Sequence, residues 1–176
     1  MNTAVVIKPL VRTERLELRP LTEKDTDAVV GLFTDPAIWK TFMIPEYETD
    51  AEYRRLAATF IGFSGNDDPA HLCVGVCLDG KLIGFINDCG IEGGRIEVGY
   101  VIHPAYQGKG YATEALGAML TELRAMGFAT VRAGYFEENP GSRRVMEKCG
   151  MHPIGLVETG VYRGKTHRCL YCEIEL

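Results

Sequence analysis

Apolar and polar residues alternate one by one through Arg15-Leu-Glu-Leu-Arg-Pro20, the period of a half-buried strand that proline then ends. The period lengthens after it. Thr22 begins a helix with Asp25 in the capping-box position, Ala28, Val29, Leu32 and Phe33 form its apolar stripe, and Asp35-Pro36 predicts its stop. A second helix, capped by Thr49 or Asp50, carries Tyr53, Leu56, Ala57, Phe60 and Ile61 on one face. Residues 65–69 read as a loop. Strand patterning returns over 71–78 and 81–87 around Asp79-Gly80, a hairpin signal, and Gly93-Gly94 turns the chain into a strand over 96–102. The pattern over 110–126 is helical, with Ala112, Ala115, Leu116, Met119 and Leu123 inward and Gly127 as its stop. A strand over 129–135, a short helix after Asn139-Pro140 that Gly150 ends, and strands over 151–158 and 166–175 complete the chain.

The resulting order is β-α-α-β-β-β-α-β-α-β-β. Hairpins come before a single β-α-β crossover, which predicts a mixed, mostly antiparallel twisted sheet of about seven strands with helices on both faces. The class is α/β (α+β mixed), and a doubly wound nucleotide fold does not fit one right-handed crossover. With 176 residues, one domain is the simplest organisation; it is placed at 12–176, after an N-terminal extension at 1–11.

A net charge of −5 without a Lys/Arg block argues against a nucleic-acid partner. The first 20 residues show no apolar signal-peptide core, and no apolar run approaches a membrane span, so the expected location is cytoplasmic. Cys169 and Cys172 form a C-x-x-C inside a strand pattern, where residues three apart face opposite ways, so the six cysteines read as reduced structural residues. The histidines at 71, 103, 152 and 167 lack zinc-site spacing, and no metal is expected. His103, before a proline, reads as a turn residue. Trp39, Phe42, Met43 and Tyr47, interrupted by Pro45, read as core packing or as a flap beside a substrate.

The chemistry concentrates between Glu97 and Leu116: a strand, a glycine-interrupted turn and the start of a helix. Gly108 and Gly110 sit at the handover. A side chain at either could block a large ligand, and the helix start would offer unpartnered N–H groups at the positive end of its dipole, a site suited to pyrophosphate. Gln107-Gly-Lys-Gly-Tyr-Ala112 is neither a Walker A motif nor a dinucleotide fingerprint. It matches Q/R-x-x-G-x-G/A, the pyrophosphate signature of the GCN5-related N-acetyltransferase (GNAT) superfamily, which this chain resembles from about Arg12 to Leu176. The opening Arg12-Thr-Glu-Arg-Leu-Glu-Leu-Arg-Pro-Leu21, the pairs Gly99-Tyr100 and His103-Pro104, and Asn139-Pro-Gly-Ser-Arg-Arg-Val-Met-Glu-Lys-Cys-Gly150 resemble the ribosomal-protein-alanine N-acetyltransferase-like branch.

The resemblance implies an acetyl-CoA-dependent N-acetyltransferase. It places the pyrophosphate of coenzyme A against the backbone of Gln107, Gly108, Lys109, Gly110, Tyr111 and Ala112, extending to Thr113. It lays the pantetheine arm along the strand ending at Ile102, where that strand splays from the one over 129–135. Asn139 would contact the cofactor and Ser142 would lie near its sulfur. Asn139 also reads as a plain helix cap. Acyl transfer to an amine needs a proton acceptor, an oxyanion donor and a proton for the leaving thiolate. Glu97 is the first candidate base, with Glu137, Glu138 and Glu158 as alternatives. Ser142 or a tyrosine is the candidate acid, and a backbone N–H near Ile102 the oxyanion donor. The acceptor is an amine, either a protein N-terminus or a small molecule, and the chain is expected to be a monomer or homodimer. The rival readings are a non-catalytic acyl-CoA-binding module and a thiol or zinc protein built on Cys169 and Cys172.

Overall fold

The computed structural model describes residues 4, 6–65 and 68–176, so residues 66–67 of the expected 65–69 loop and part of the 1–11 extension lie outside the described residues. Strands β1 (Val11–Arg12), β2 (Leu16–Arg19), β3 (Cys73–Leu78), β4 (Lys81–Glu92), β5 (Arg95–Ile102), β6 (Thr130–Phe136), β7 (His152–Tyr162) and β8 (Lys165–Glu175) form a single sheet. Their order is β1-β2-β3-β4-β5-β6-β8-β7, and among the described residues only β5 and β6 pair in parallel. The count exceeds the expected seven by β1, whose two residues pair with Leu18 and Glu17 and are too few to show an alternation. Helices α1 (Thr26–Thr34), α2 (Pro36–Trp39), α3 (Asp50–Phe63), α4 (Tyr111–Ala125) and α5 (Pro140–Lys148) supply the layers on either side.

Local chemistry explains where the elements begin. A 3-10 turn, Glu23–Asp25, precedes α1, so the helix expected from Thr22 starts one turn late. The buried Asp25 carboxylate accepts the Thr22 N–H and the Arg19 guanidinium, each at 2.8 Å, and locks β2 to that turn. Pro36, expected as a stop, instead opens α2, because the Asp35 side chain caps it through the Ala37 N–H at 2.8 Å and proline suits the first helical position. Strands β4 and β7 run beyond their expected ends at 87 and 158, into residues whose exposed faces obscure the alternation.

Two cores flank the sheet. On one face, Leu116, Met119 and Leu123 of α4 and Met146 of α5 pack on Ile96, Val98, Val131 and Ala133. On the other, Val29, Phe33 and Ala57 of α1 and α3 cover Cys73, Phe85 and Val101. Phe33 meets Phe60 edge-on at 5.0 Å and Phe85 at 5.9 Å, the geometry aromatic quadrupoles favour.

The sheet opens at its middle. Strands β5 and β6 pair only through Arg95↔Thr130, Ile96↔Val131 and Glu97↔Arg132. Beyond Glu97, β5 stays bonded to β4 as far as Ile102, and β6 to β8 as far as Phe136. Each strand is therefore held from outside while the two part, leaving a wedge. A bulge in β4 between Asp88 and Gly90 sits opposite the parting point, where such an insertion bends a strand.

Candidate active site

A cleft of about 590 Å³ runs through this wedge, from Gly108, Gly110 and Tyr111 at one end to Phe42 and Tyr171 at the other. The glycine turn stands at its mouth. Gly108 (φ 74°) and Gly110 (φ 83°) adopt left-handed conformations, and Gly110 is the N-cap of α4 without any side-chain cap. Among the described residues, no protein group accepts the N–H groups of residues 108–113, so a run of unpartnered donors stands at a helix N-terminus where Gly108, Gly110, Tyr111, Ala112 and Thr113 line the cleft. The need for glycine here is conformational: a Cβ at Gly108 would meet no protein atom, and one at Gly110 would meet only an Arg15 nitrogen at 3.3 Å. The Gln107 side chain donates to the Ile102 carbonyl at 2.8 Å, fixing the end of β5 to the turn. Lys109 directs its ammonium to the Ala105 carbonyl at 3.3 Å, and its side chain does not line the cleft.

Farther in, Asn139, Ser142 and Tyr100 line the wedge on the α4 and α5 face. Asn139 caps α5, its Oδ1 accepting the Ser142 N–H at 3.2 Å. The Ser142 hydroxyl lies 2.8 Å from the Tyr100 hydroxyl, which also donates to the Ser142 carbonyl at 2.9 Å. Burial pushes the Tyr100 phenol well above its usual value, so it stays protonated. Ala112 and Thr113 line the same stretch. The Cys149 thiol donates to the Thr113 carbonyl at 3.4 Å and is pushed up by burial, so it ties α5 to α4 as a protonated thiol.

Glu97 opens onto the opposite face, at the apex of the wedge. Burial raises its pKa, with Glu158 adding to the rise and Arg132 opposing it. Among the described residues Glu97 forms no salt bridge, because Arg132 is committed to Glu173 at 2.6 Å. The other candidate bases are occupied. Glu137 pairs with Arg168 at 2.7 Å, Glu138 binds His167 and Lys165, and Glu158 accepts the Tyr171 hydroxyl at 2.5 Å. Gly99 and Gly134 flank this space without side chains; a Cβ on either would collide with Phe42 or with the Tyr171 ring at 3.0 and 2.8 Å. His103 is a turn residue as expected, its Nδ1 capping the Ala105 N–H at 3.1 Å.

Several site residues carry no distinctive sequence signal. Asn87, 8% exposed, lines the cleft opposite Gly99, and among the described residues its Oδ1 meets no donor; such a buried acceptor costs about 1–3 kcal/mol. Tyr162, at the tip of the β7–β8 hairpin, is 3.2 Å from the carbonyls of Phe42 and Ile44 and accepts the Ile44 N–H at 3.1 Å. It thereby clamps the segment that carries Phe42 and the 62%-exposed Met43 to the cleft wall. Cys169 lines the cleft and Cys172 is buried in the core of the other face, as alternation in β8 requires. Among the described residues, no three His, Cys, Asp or Glu side chains are grouped to hold a metal ion, and no helix is long and apolar enough to cross a membrane.

Comparison with known proteins agrees with this geometry. The model of the acetyltransferase (GNAT) domain family matches residues 15–152. The uncharacterized N-acetyltransferase YnaD of Bacillus subtilis is 31% identical over 156 residues, covering 88% of this chain and 89% of its own. A GNAT-family acetyltransferase from Bacillus anthracis superposes with a TM-score of 0.79 at 29% identity, over 95% of this chain and 98% of its own. RimL, a ribosomal α-N-protein acetyltransferase solved with coenzyme A, shares the fold with a TM-score of 0.82 at 18% identity, over 97% of this chain and 98% of its own. A glycine turn at a helix start, a sheet parted beside it and a family match across most of the chain lead to one assignment: this protein is an acetyltransferase of the GNAT family.

Proposed function

We propose that the domain at 12–176 transfers the acetyl group of acetyl-CoA to a primary amine by direct attack in a ternary complex. The observation that carries this reading is the parting of β5 from β6 at Glu97, which joins a fan of free N–H groups to a carboxylate with no ion partner. The backbone from Gln107 to Thr113 would hold the pyrophosphate. The edge of β5 beyond Glu97, unpaired on the β6 side, offers peptide groups to the amides of pantetheine, and Asn139 and Ser142 close the arm's far side.

The chain's own groups then divide the proton traffic. The acceptor attacks as the neutral amine, its lone pair adding to the thioester carbon, and ionised Glu97 takes the proton that the nitrogen sheds as the C–N bond forms. A backbone N–H near Ile102 steadies the oxyanion. As the C–S bond breaks, the thiolate takes a proton from Ser142, whose hydroxyl is positioned by its 2.8 Å contact with Tyr100. The cleft's opposite face, walled by Phe42 and Tyr171, receives the acceptor, either a protein N-terminus or a small-molecule amine. Membrane and nucleic-acid partners play no part in this reading, the location is cytoplasmic, and β7 at the sheet edge is the surface through which a homodimer would form if the chain is not a monomer.

Coenzyme A thiol release, followed with acetyl-CoA and a panel of N-terminal peptides and small amines, tests the proposal. Turnover of a primary amine in the wild type, lost in Glu97→Gln with cofactor binding intact, supports it. Tight cofactor binding without turnover of any amine would instead favour a non-catalytic binding module.

A further inference from the structure

The opening segment Thr13-Glu-Arg15 lies far from the cleft in sequence and lines none of it, yet it is bonded to the glycine turn. Glu114, in the first turn of α4, accepts the Thr13 hydroxyl at 2.5 Å, the Arg15 N–H at 2.8 Å and the Arg15 Nε at 2.7 Å. Arg15 then extends Nη1 to the Lys109 carbonyl at 2.9 Å, lays its guanidinium 4.6 Å from the Tyr111 ring centre, and leaves its other nitrogen beside Gly110.

A trans peptide is planar, with its C=O and N–H directed oppositely. Fixing the Lys109 carbonyl toward Arg15, outside the cleft, therefore turns the Gly110 N–H toward the cleft that Gly110 lines. Without this tie, the two left-handed glycines leave that peptide plane free to rotate. The same contacts occupy Glu114, whose carboxylate would otherwise stand bare in the helix turn proposed to receive an anion.

We infer that Arg15 is a positioning residue for the pyrophosphate cradle: held by Glu114, it fixes the Lys109–Gly110 peptide so that the Gly110 N–H faces the ligand. This rests on the proposed acetyl-CoA reading of the glycine turn. A guanidinium suits the task because it bonds a carboxylate and a carbonyl simultaneously in a fixed plane, which a lysine ammonium does less well.

Two substitutions separate positioning from simple charge. Arg15→Ala removes the tie and a positive charge; Glu114→Ala removes the tie but leaves the positive charge unpaired near the turn. Acetyl-CoA affinity measured by calorimetry should fall about tenfold in both, with a double variant no worse than either, since they act as one unit. Amide hydrogen exchange of the ligand-free protein should rise over 107–113 in both variants and stay unchanged in the core strands. Tighter acetyl-CoA binding in Glu114→Ala, or a loss of affinity with exchange over 107–113 unchanged, would show that Arg15 acts by charge and overturn the inference. Exchange raised throughout the sheet would assign it a role in the fold alone. Wild-type protein that binds acetyl-CoA as tightly as both variants sinks only this inference, whereas wild-type protein that does not bind it sinks the cofactor reading itself.

Discussion

Glu97 is the residue on which the proposed chemistry turns. Its folded-state pKa is raised by burial, so folding binds its proton more tightly than the unfolded chain does. The corresponding stability is present below the unfolded value of about 4.3 and is lost as pH rises through the folded value. Glu97→Gln should therefore raise Tm at pH 7 and leave it unchanged near pH 3.5, where both forms are neutral. It should also cut turnover on the order of 10²–10⁴-fold, the usual loss with a general base. A Tm that falls at pH 7 would mean that the carboxylate stabilises the fold. Ser142→Ala should lower kcat about tenfold or more with little change in acetyl-CoA affinity, measured by steady-state kinetics beside calorimetry. Glu97 and Ser142 are candidates by resemblance, and the structure distinguishes Glu97 from the other carboxylates: Arg132 is taken by Glu173, while Glu137, Glu138 and Glu158 each hold another side chain. Asn87 was illegible, because a single asparagine in a strand pattern does not reveal whether its oxygen finds a donor.

At the scale of elements, the glycine turn and α4 were readable in the sequence because positive φ at a strand-to-helix handover selects glycine and an amphipathic period follows. Gly110→Ala should cost about 1–2 kcal/mol for a left-handed Cβ and weaken acetyl-CoA binding, seen as a lower Tm and a higher Kd. The wedge itself was not legible. Side-chain alternation marks strands but not where two of them stop pairing, which here depends on separate ladders to β4 and β8 and on the bulge at Asp88–Gly90. The hairpin clamp was equally hidden, since Tyr162 and the 42–44 carbonyls it contacts are joined only by the fold. Tyr162→Phe should raise the acceptor KM several-fold with acetyl-CoA affinity unchanged, by loosening the cleft wall that carries Phe42.

Across the whole molecule, helices on both faces and a mostly antiparallel sheet followed from the alternation and from the single crossover, and the two apolar cores bear this out. The extra edge strand β1 escaped because two residues have no period to read. The same architecture explains how an open cleft persists in a folded domain: α4 anchors one side of the wedge through a fully buried Leu116, and α1 and α3 anchor the other through Phe33 and Phe60, which pack edge-on against Phe85 of β4. The central claim is that the glycine turn at the mouth of this wedge holds the pyrophosphate of acetyl-CoA. Calorimetric titration of wild type and Gly110→Glu with acetyl-CoA tests it most directly. The account predicts binding by the wild type and a loss of at least about 100-fold in the variant, where bulk and negative charge enter the cradle. Equal affinity in the two proteins, or no binding by the wild type, would contradict it.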